Sequence, residues 1–198
     1  LKNGVTSNHV LGYEMVLPDG TIEWLGVEPD GGEEVAGFDL RGAAIGSEGM
    51  FGVVTRVLVR LMKTPPAFKT FLCVFESVDE ASQAVSGIIA AGIVPAALEM
   101  MDQLITQALE EAYHFGFPLD AGAVLIVELD GLPKGVEQQA KRVEEVCRQN
   151  NASEVRLAKD DAERTALWKC RKRAFGAIGR LSPNYVTQDG VEIGRAHV

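Results

Sequence analysis

Gly46-Ser47-Glu48-Gly49-Met50-Phe51-Gly52-Val53-Val54-Thr55 sets three glycines around one carboxylate and leads directly into a β-branched, apolar run from Val53 to Leu61. Glycine tolerates positive φ and lets a backbone approach a ligand closely. A glycine-dense turn feeding a buried strand is therefore a place where a cofactor can lie against main-chain N–H groups. The same pattern also serves a purely structural turn, in which Glu48 caps the chain reversal and the glycines only permit its geometry. What lies around the decapeptide decides between the two.

Upstream come Gly12-Tyr13-Glu14-Met15-Val16-Leu17-Pro18-Asp19-Gly20-Thr21 and Val35-Ala36-Gly37-Phe38-Asp39-Leu40; downstream comes Leu61-Met62-Lys63-Thr64-Pro65. In this order and spacing the motifs resemble the second half of the FAD domain of the flavoenzyme family typified by vanillyl-alcohol oxidase and p-cresol methylhydroxylase (PCMH-type). Within that family the chain is most similar to the glycolate oxidase D-subunit and the FAD-linked D-lactate and D-2-hydroxyglutarate dehydrogenases. The family wording is G-S-E-G-T-L-G-[IV]-[IV]-T, and Met50 and Phe51 depart from it by placing larger apolar residues where a small polar residue and a leucine stand. The resemblance runs from Leu1 to Asp189. It implies FAD as cofactor, lined by Glu48, Gly49, Met50, Phe51, Gly52, Val53 and Val54, with a glycine-rich pyrophosphate loop lying before Leu1.

Composition narrows the class. The 198 residues are 46% apolar and 24% charged, enough to bury a core in one large or two small domains. A formal net charge of −9 leaves no basic face for phosphate and excludes a nucleic-acid partner. No apolar run reaches the ~18 residues that a transmembrane helix requires. Cys73, Cys147 and Cys170 are odd in number and widely spaced, which suits a reducing, cytoplasmic setting and gives no zinc or iron–sulfur pattern. Both ends read as artificial: the chain opens on Leu1 within a strand-forming segment, and Glu192–Val198 reads as a translated sequencing-adapter scar, so that a fragment is expected.

Along the chain, Val10 to Leu25 alternates around Leu17-Pro18-Asp19-Gly20 and predicts a hairpin, followed by an exposed loop over 27–36. A short helix capped by Asp39 and a strand over 53–62 follow, and Pro65-Pro66 marks the boundary. Beyond it the pattern predicts strands at 68–75, 96–101, 123–129 and 154–158. It predicts helices at 78–91, 102–113, 135–149 and 160–178, with a last strand starting at Asn184–Asp189. The fold class is α+β. Residues 1–64 are read as the C-terminal half of a PCMH-type FAD-binding domain, and 65–191 as a ferredoxin-like α+β cap or substrate domain, with the scar at 192–198.

Arg171, in Leu167-Trp168-Lys169-Cys170-Arg171, is similar to the L-W-x-x-R segment with which 2-hydroxyacid members of the family set an arginine near the flavin. A planar guanidinium can hold a substrate carboxylate by two parallel charge-assisted hydrogen bonds and so aim C2–H for hydride removal. The alternative is a solvated basic helix face, since Lys169, Lys172, Arg173 and Arg180 are close in sequence. Trp168 reads as core packing. His9 and His114 have no second ligand at metal-binding spacing. Glu110-Glu111, Glu144-Glu145 and Asp160-Asp161 read as solvated surface, Cys73 and Cys147 as buried apolar residues, and Cys170 as a thiol beside activating cations.

The resemblance implies an FAD-dependent oxidoreductase converting a small D-2-hydroxy acid of the glycolate or D-lactate type to the 2-oxo acid. Electrons would go to a quinone, a cytochrome or a partner redox subunit. A divalent metal and a general base would come from histidines downstream of this sequence, and the setting would be cytoplasmic or peripheral at the inner face of the membrane, with an oligomer compatible. Two alternatives stand beside it. One is a flavin-containing transferase like alkyl-dihydroxyacetonephosphate synthase; the other is a non-catalytic relative using the ferredoxin-like domain for association.

Overall fold

Residues 2–31, 37–182 and 184–188 are described by the computed structural model, which divides into two compact units, Leu1–Thr64 and Pro65–Val198. Val35, Ala36, Asp189 and the stretch from Glu192 onward lie outside the described residues.

The first unit is a three-stranded antiparallel sheet with strand order β2-β1-β3. β1 (Val10–Val16) and β2 (Ile22–Gly26) form the predicted hairpin. Its turn closes through Gly20 N donating to Leu17 O (2.9 Å), with Gly20 at φ 86°, and Thr21 N donating to Asp19 Oδ1 (2.9 Å). Helix α1 (Leu40–Ala44) begins where expected, because the Asp39 carboxylate accepts from Gly42 N at 2.8 Å. Arg41 ties the helix to the sheet by donating to Val10 O and Leu11 O at 3.1 and 3.3 Å. The small core of this unit is Val10, Tyr13 and Met15, with Leu17, Leu25, Ala44 and Ile45 packed against it.

β3 (Val53–Val59) corrects an expectation. The strand forms, but it stops short of Met62, and every residue in it except the half-buried Leu58 is exposed. The reason is its position: among the described residues it pairs only with β1, at one edge of the sheet, so its β-branched pattern supplies ladder propensity without burial.

The second unit is a four-stranded sheet of β4 (Ala67–Phe75), β5 (Ala97–Asp102), β6 (Ala123–Gly131) and β7 (Glu154–Leu157), in the order β5-β6-β4-β7 and antiparallel throughout. With α2 (Val78–Ala90) after the first strand and α4 (Pro133–Gln149) after the third, this is the ferredoxin-like arrangement. The central strands are apolar on both sides. Phe71, Cys73, Phe75, Leu125 and Val127 face a core that includes Ala81, Ala84 and Ile88 of α2 and Val143, Val146 and Cys147 of α4. Leu72, Val74, Val124 and Ile126 face the opposite way, toward Ala108 and Leu109 of α3 (Gln103–Tyr113) and Leu167, Cys170 and Ala177 of α5 (Asp161–Leu181). Helices thus cover both faces, which is why β4 and β6 read as continuous rather than alternating apolar runs.

Among residues 184–188 no strand forms, contrary to expectation. A strand exists only through a ladder partner, and no described segment pairs with this one. Ser182 Oγ instead donates to Asn184 O at 2.8 Å. Among the described residues no helix is long and apolar enough to cross a membrane.

Candidate functional site

In the first unit the decapeptide forms one wall of a cleft of about 440 Å³, lined by Val10, Tyr13, Met15, Ala44, Ile45 and Val57 together with the turn itself. Positive φ is concentrated in this turn: 85° at Gly46, 52° at Glu48 and 84° at Gly49. A Cβ at Gly46 would have no neighbour within 4 Å, and one at Gly49 would meet only Gly52 O at 3.9 Å, so both glycines hold open space beside the main chain. Gly52 has a different role. Its Cβ would meet Val16 O at 2.5 Å, so the absence of a side chain there is what lets the turn lie against β1.

The cleft draws together five of the seven residues that the family resemblance assigns to the cofactor: Glu48, Gly49, Gly52, Val53 and Val54. Met50 does not line it and is exposed, while Phe51 lines a separate apolar cleft with Met15, Leu17, Leu25 and Leu40. The two positions that depart from the family wording are thus the two that lie off the cleft. Apolar walls joined to a glycine backbone suit a flat heterocycle with hydrogen-bonding edges, so the residues present fit FAD. Tyr13 carries a polar atom at the core of this unit. Its hydroxyl donates to Arg41 O at 3.1 Å, and burial, reinforced by the Asp39 charge, pushes its pKa up.

In the second unit Arg171 lies on α5 and lines a cleft of about 500 Å³ with Val78, Glu99, Met100, Met101, Asp102, Ile105, Ala174, Phe175 and Ile178. Its Nε pairs with Glu99 Oε2 at 3.1 Å. The neighbouring cations do other work: Arg173 and Arg180 stack over the Tyr113 ring at 4.7 and 5.2 Å. Among the described residues lining this cleft Arg171 is the one cation.

A buried polar cluster that sequence reasoning missed holds α5 in place. Glu128 of β6 accepts from Thr70 Oγ1 (2.8 Å), from Arg164 Nε and a terminal nitrogen (2.8 Å each), and from Trp168 Nε1 (2.6 Å). Arg164 also stacks over Phe68 at 4.4 Å. Burial pushes the Glu128 carboxyl up, but the hydrogen bonds from Arg164, Thr70 and Trp168 and the Arg164 charge outweigh it and hold the pKa below its ordinary value. Trp168 therefore packs against the core, as expected, and also supplies a donor. The signal available in the sequence was an isolated glutamate inside the apolar strand 123–129, a position where a charge requires partners.

One further reading is corrected. Cys170 is fully buried, and burial pushes its thiol up to about 12, so the cations flanking it in sequence do not activate it. None of the acidic pairs is buried, in keeping with a surface reading, and within them Glu110 accepts from Gly116 N and Phe117 N at 2.7 and 2.8 Å and Asp160 caps α5. His114 ends α3 in the left-handed region at φ 54°, and His9 Nε2 contacts Asn3 O at 2.8 Å. Among the described residues no group of three or more histidine, cysteine, aspartate or glutamate side chains is arranged to hold a metal ion.

Residues 64–191 match the family model of FAD linked oxidases, C-terminal domain. The chain belongs to the FAD linked oxidases. Within them it is 44% identical over 190 residues to the glycolate oxidase subunit GlcD of Escherichia coli K12, covering 96% of this chain and 38% of that protein. It is 31% identical over 199 residues to a probable mitochondrial D-lactate dehydrogenase of Danio rerio, covering 98% of this chain and 40% of that protein. The chain thus spans about two-fifths of the length of these relatives. The fold matches solved p-cresol methylhydroxylase with a TM-score of 0.62 at 17% identity, over 86% of this chain and 40% of that one.

Proposed function

We propose that this chain is part of an FAD-dependent oxidoreductase that oxidises a small D-2-hydroxy acid, of the glycolate or D-lactate type, to the 2-oxo acid. The observation that carries the reading is Arg171, exposed in the wall of a cleft, in a chain 44% identical to a glycolate oxidase subunit. Residues 1–64 supply part of the cofactor site, with Glu48, Gly49, Gly52, Val53 and Val54 as its lining. Residues 65–191 supply the substrate side. FAD, when bound, provides the acceptor for the hydride that leaves C2. The part of this chain is to bind and orient: the Arg171 guanidinium grips the carboxylate and fixes the direction of the C2–H bond. Electrons pass on to a quinone, a cytochrome or a partner redox subunit, in the cytoplasm or at the inner face of the membrane.

In the complete enzyme, Arg171→Lys replaces the planar fork with a point charge. It is expected to raise KM for the hydroxy acid at least ~tenfold, a loss on the order of 1.5–3 kcal/mol, with flavin content unchanged. Steady-state kinetics on D-lactate check this, and an unchanged KM removes Arg171 from the site.

A further inference from the structure

The sheet of the second unit offers α5 two carboxylates from neighbouring strands, and each meets an arginine of that helix. β5 and β6 pair with Ala97 opposite Glu128 and Glu99 opposite Ile126, so Glu99 and Glu128 stand diagonally across the ladder. Their partners Arg164 and Arg171 lie seven positions, about two turns, apart on α5. The two pairs differ in how completely they are satisfied. Glu128 is closed: four donor contacts from Thr70, Arg164 and Trp168 occupy it, and its side chain is 10% exposed. Glu99 is open. Its shortest approach to Arg171 is Oε2 to Nε at 3.1 Å, and the two side chains are 32% and 46% exposed in the cleft wall.

The guanidinium carries five N–H donors, and with 46% of the Arg171 side chain exposed beside Glu99 it keeps donors for a ligand carboxylate, which two of them can grip at once. Around it, Val78, Met100, Met101, Phe175 and Ile178 make apolar walls. Among the described residues lining the cleft the remaining fixed charge is Asp102, whose carboxylate accepts from Ile105 N at 2.9 Å to cap α3. The cleft thus sets one cation against two carboxylates. A ligand with one carboxylate and an apolar remainder finds a partner for each part, whereas a second carboxylate meets Glu99, Asp102 and hydrocarbon.

We infer that Glu99 is a positioning and specificity-determining residue: it holds Arg171 through their ion pair and makes the cleft selective for monocarboxylic 2-hydroxy acids with apolar side chains over dicarboxylic ones. The inference rests on the proposed role of Arg171. Its test uses the complete flavinated enzyme and compares kcat/KM for D-2-hydroxyisocaproate, D-lactate and D-2-hydroxyglutarate in wild type, Glu99→Gln and Glu99→Asp. Wild type is expected to favour the monocarboxylates at least tenfold. Glu99→Gln is expected to raise KM for them several-fold with a smaller change in kcat, and to narrow the preference about tenfold; Glu99→Asp, which keeps the charge, should restore most of it. Equal use of the dicarboxylate by wild type, or a preference unmoved in Glu99→Gln, overturns the inference. The two readings fail distinguishably. Flavin that no 2-hydroxy acid reduces overturns the proposed function and this inference together; hydroxy-acid activity that depends on Arg171 but is indifferent to Glu99 overturns this inference alone.

Discussion

At the scale of single residues, Glu128 shows how a charge is kept inside an apolar strand. Desolvation opposes its ionised form, and the donors from Thr70, Arg164 and Trp168 more than offset that cost. A carboxyl held below its ordinary pKa stabilises the fold above the unfolded value of about 4.3, and this contribution is lost as pH falls through the lower folded value. Glu128→Gln is expected to lower stability at pH 7 by about 2–3 kcal/mol, since Arg164 keeps its charge and loses its partner. It should also flatten the acid-side decline, so that denaturant midpoints between roughly pH 5 and pH 3 fall less steeply than in wild type. Urea titrations across that range check both effects, and parallel curves would show that Glu128 is not a principal titrating group.

Among the elements, α5 carries both arginines that pair with carboxylates of the sheet, Arg164 and Arg171, while its N-terminus is fixed separately. Asp160 accepts from Glu163 N at 2.8 Å, and Glu163 reaches back to Lys159 N at 2.8 Å, an arrangement close to a capping box. Asp160→Ala is expected to cost about 1 kcal/mol, with the denaturant slope unchanged. In the complete enzyme the same substitution should leave KM within about twofold, because the Glu128 cluster anchors the helix between its cap and Arg171. A KM change as large as that of Arg171→Lys would show that the cap itself sets the position of the guanidinium.

On the scale of the whole molecule, the two units differ in how much core each one owns. Among the described residues the first has three buried apolar residues at its centre, while the second has continuous cores on both faces of its sheet. Between them, residues 61–64 are exposed and include Lys63. Limited trypsin digestion is therefore expected to cut after Lys63 early and to leave a persistent fragment beginning at Thr64, which mass spectrometry identifies. Early cuts within β4, α2 or α4 would contradict the size and closure of that core.

The sequence by itself determined the hairpin, the Asp39 cap, the four strands of the second unit and their intervening helices, since each follows from local periodicity, turn chemistry and caps. It also determined the family, through motifs whose order is a property of the chain. Burial of β3 was misread because β-branched patterning records ladder propensity, while exposure depends on what covers the strand. Only the tertiary structure brought Glu99 to Arg171 and closed Glu128 with Thr70, Arg164 and Trp168. These contacts depend on the register between β5 and β6 and on where α5 docks. No local pattern in the sequence encodes either one, because both are settled by packing between segments far apart in the chain.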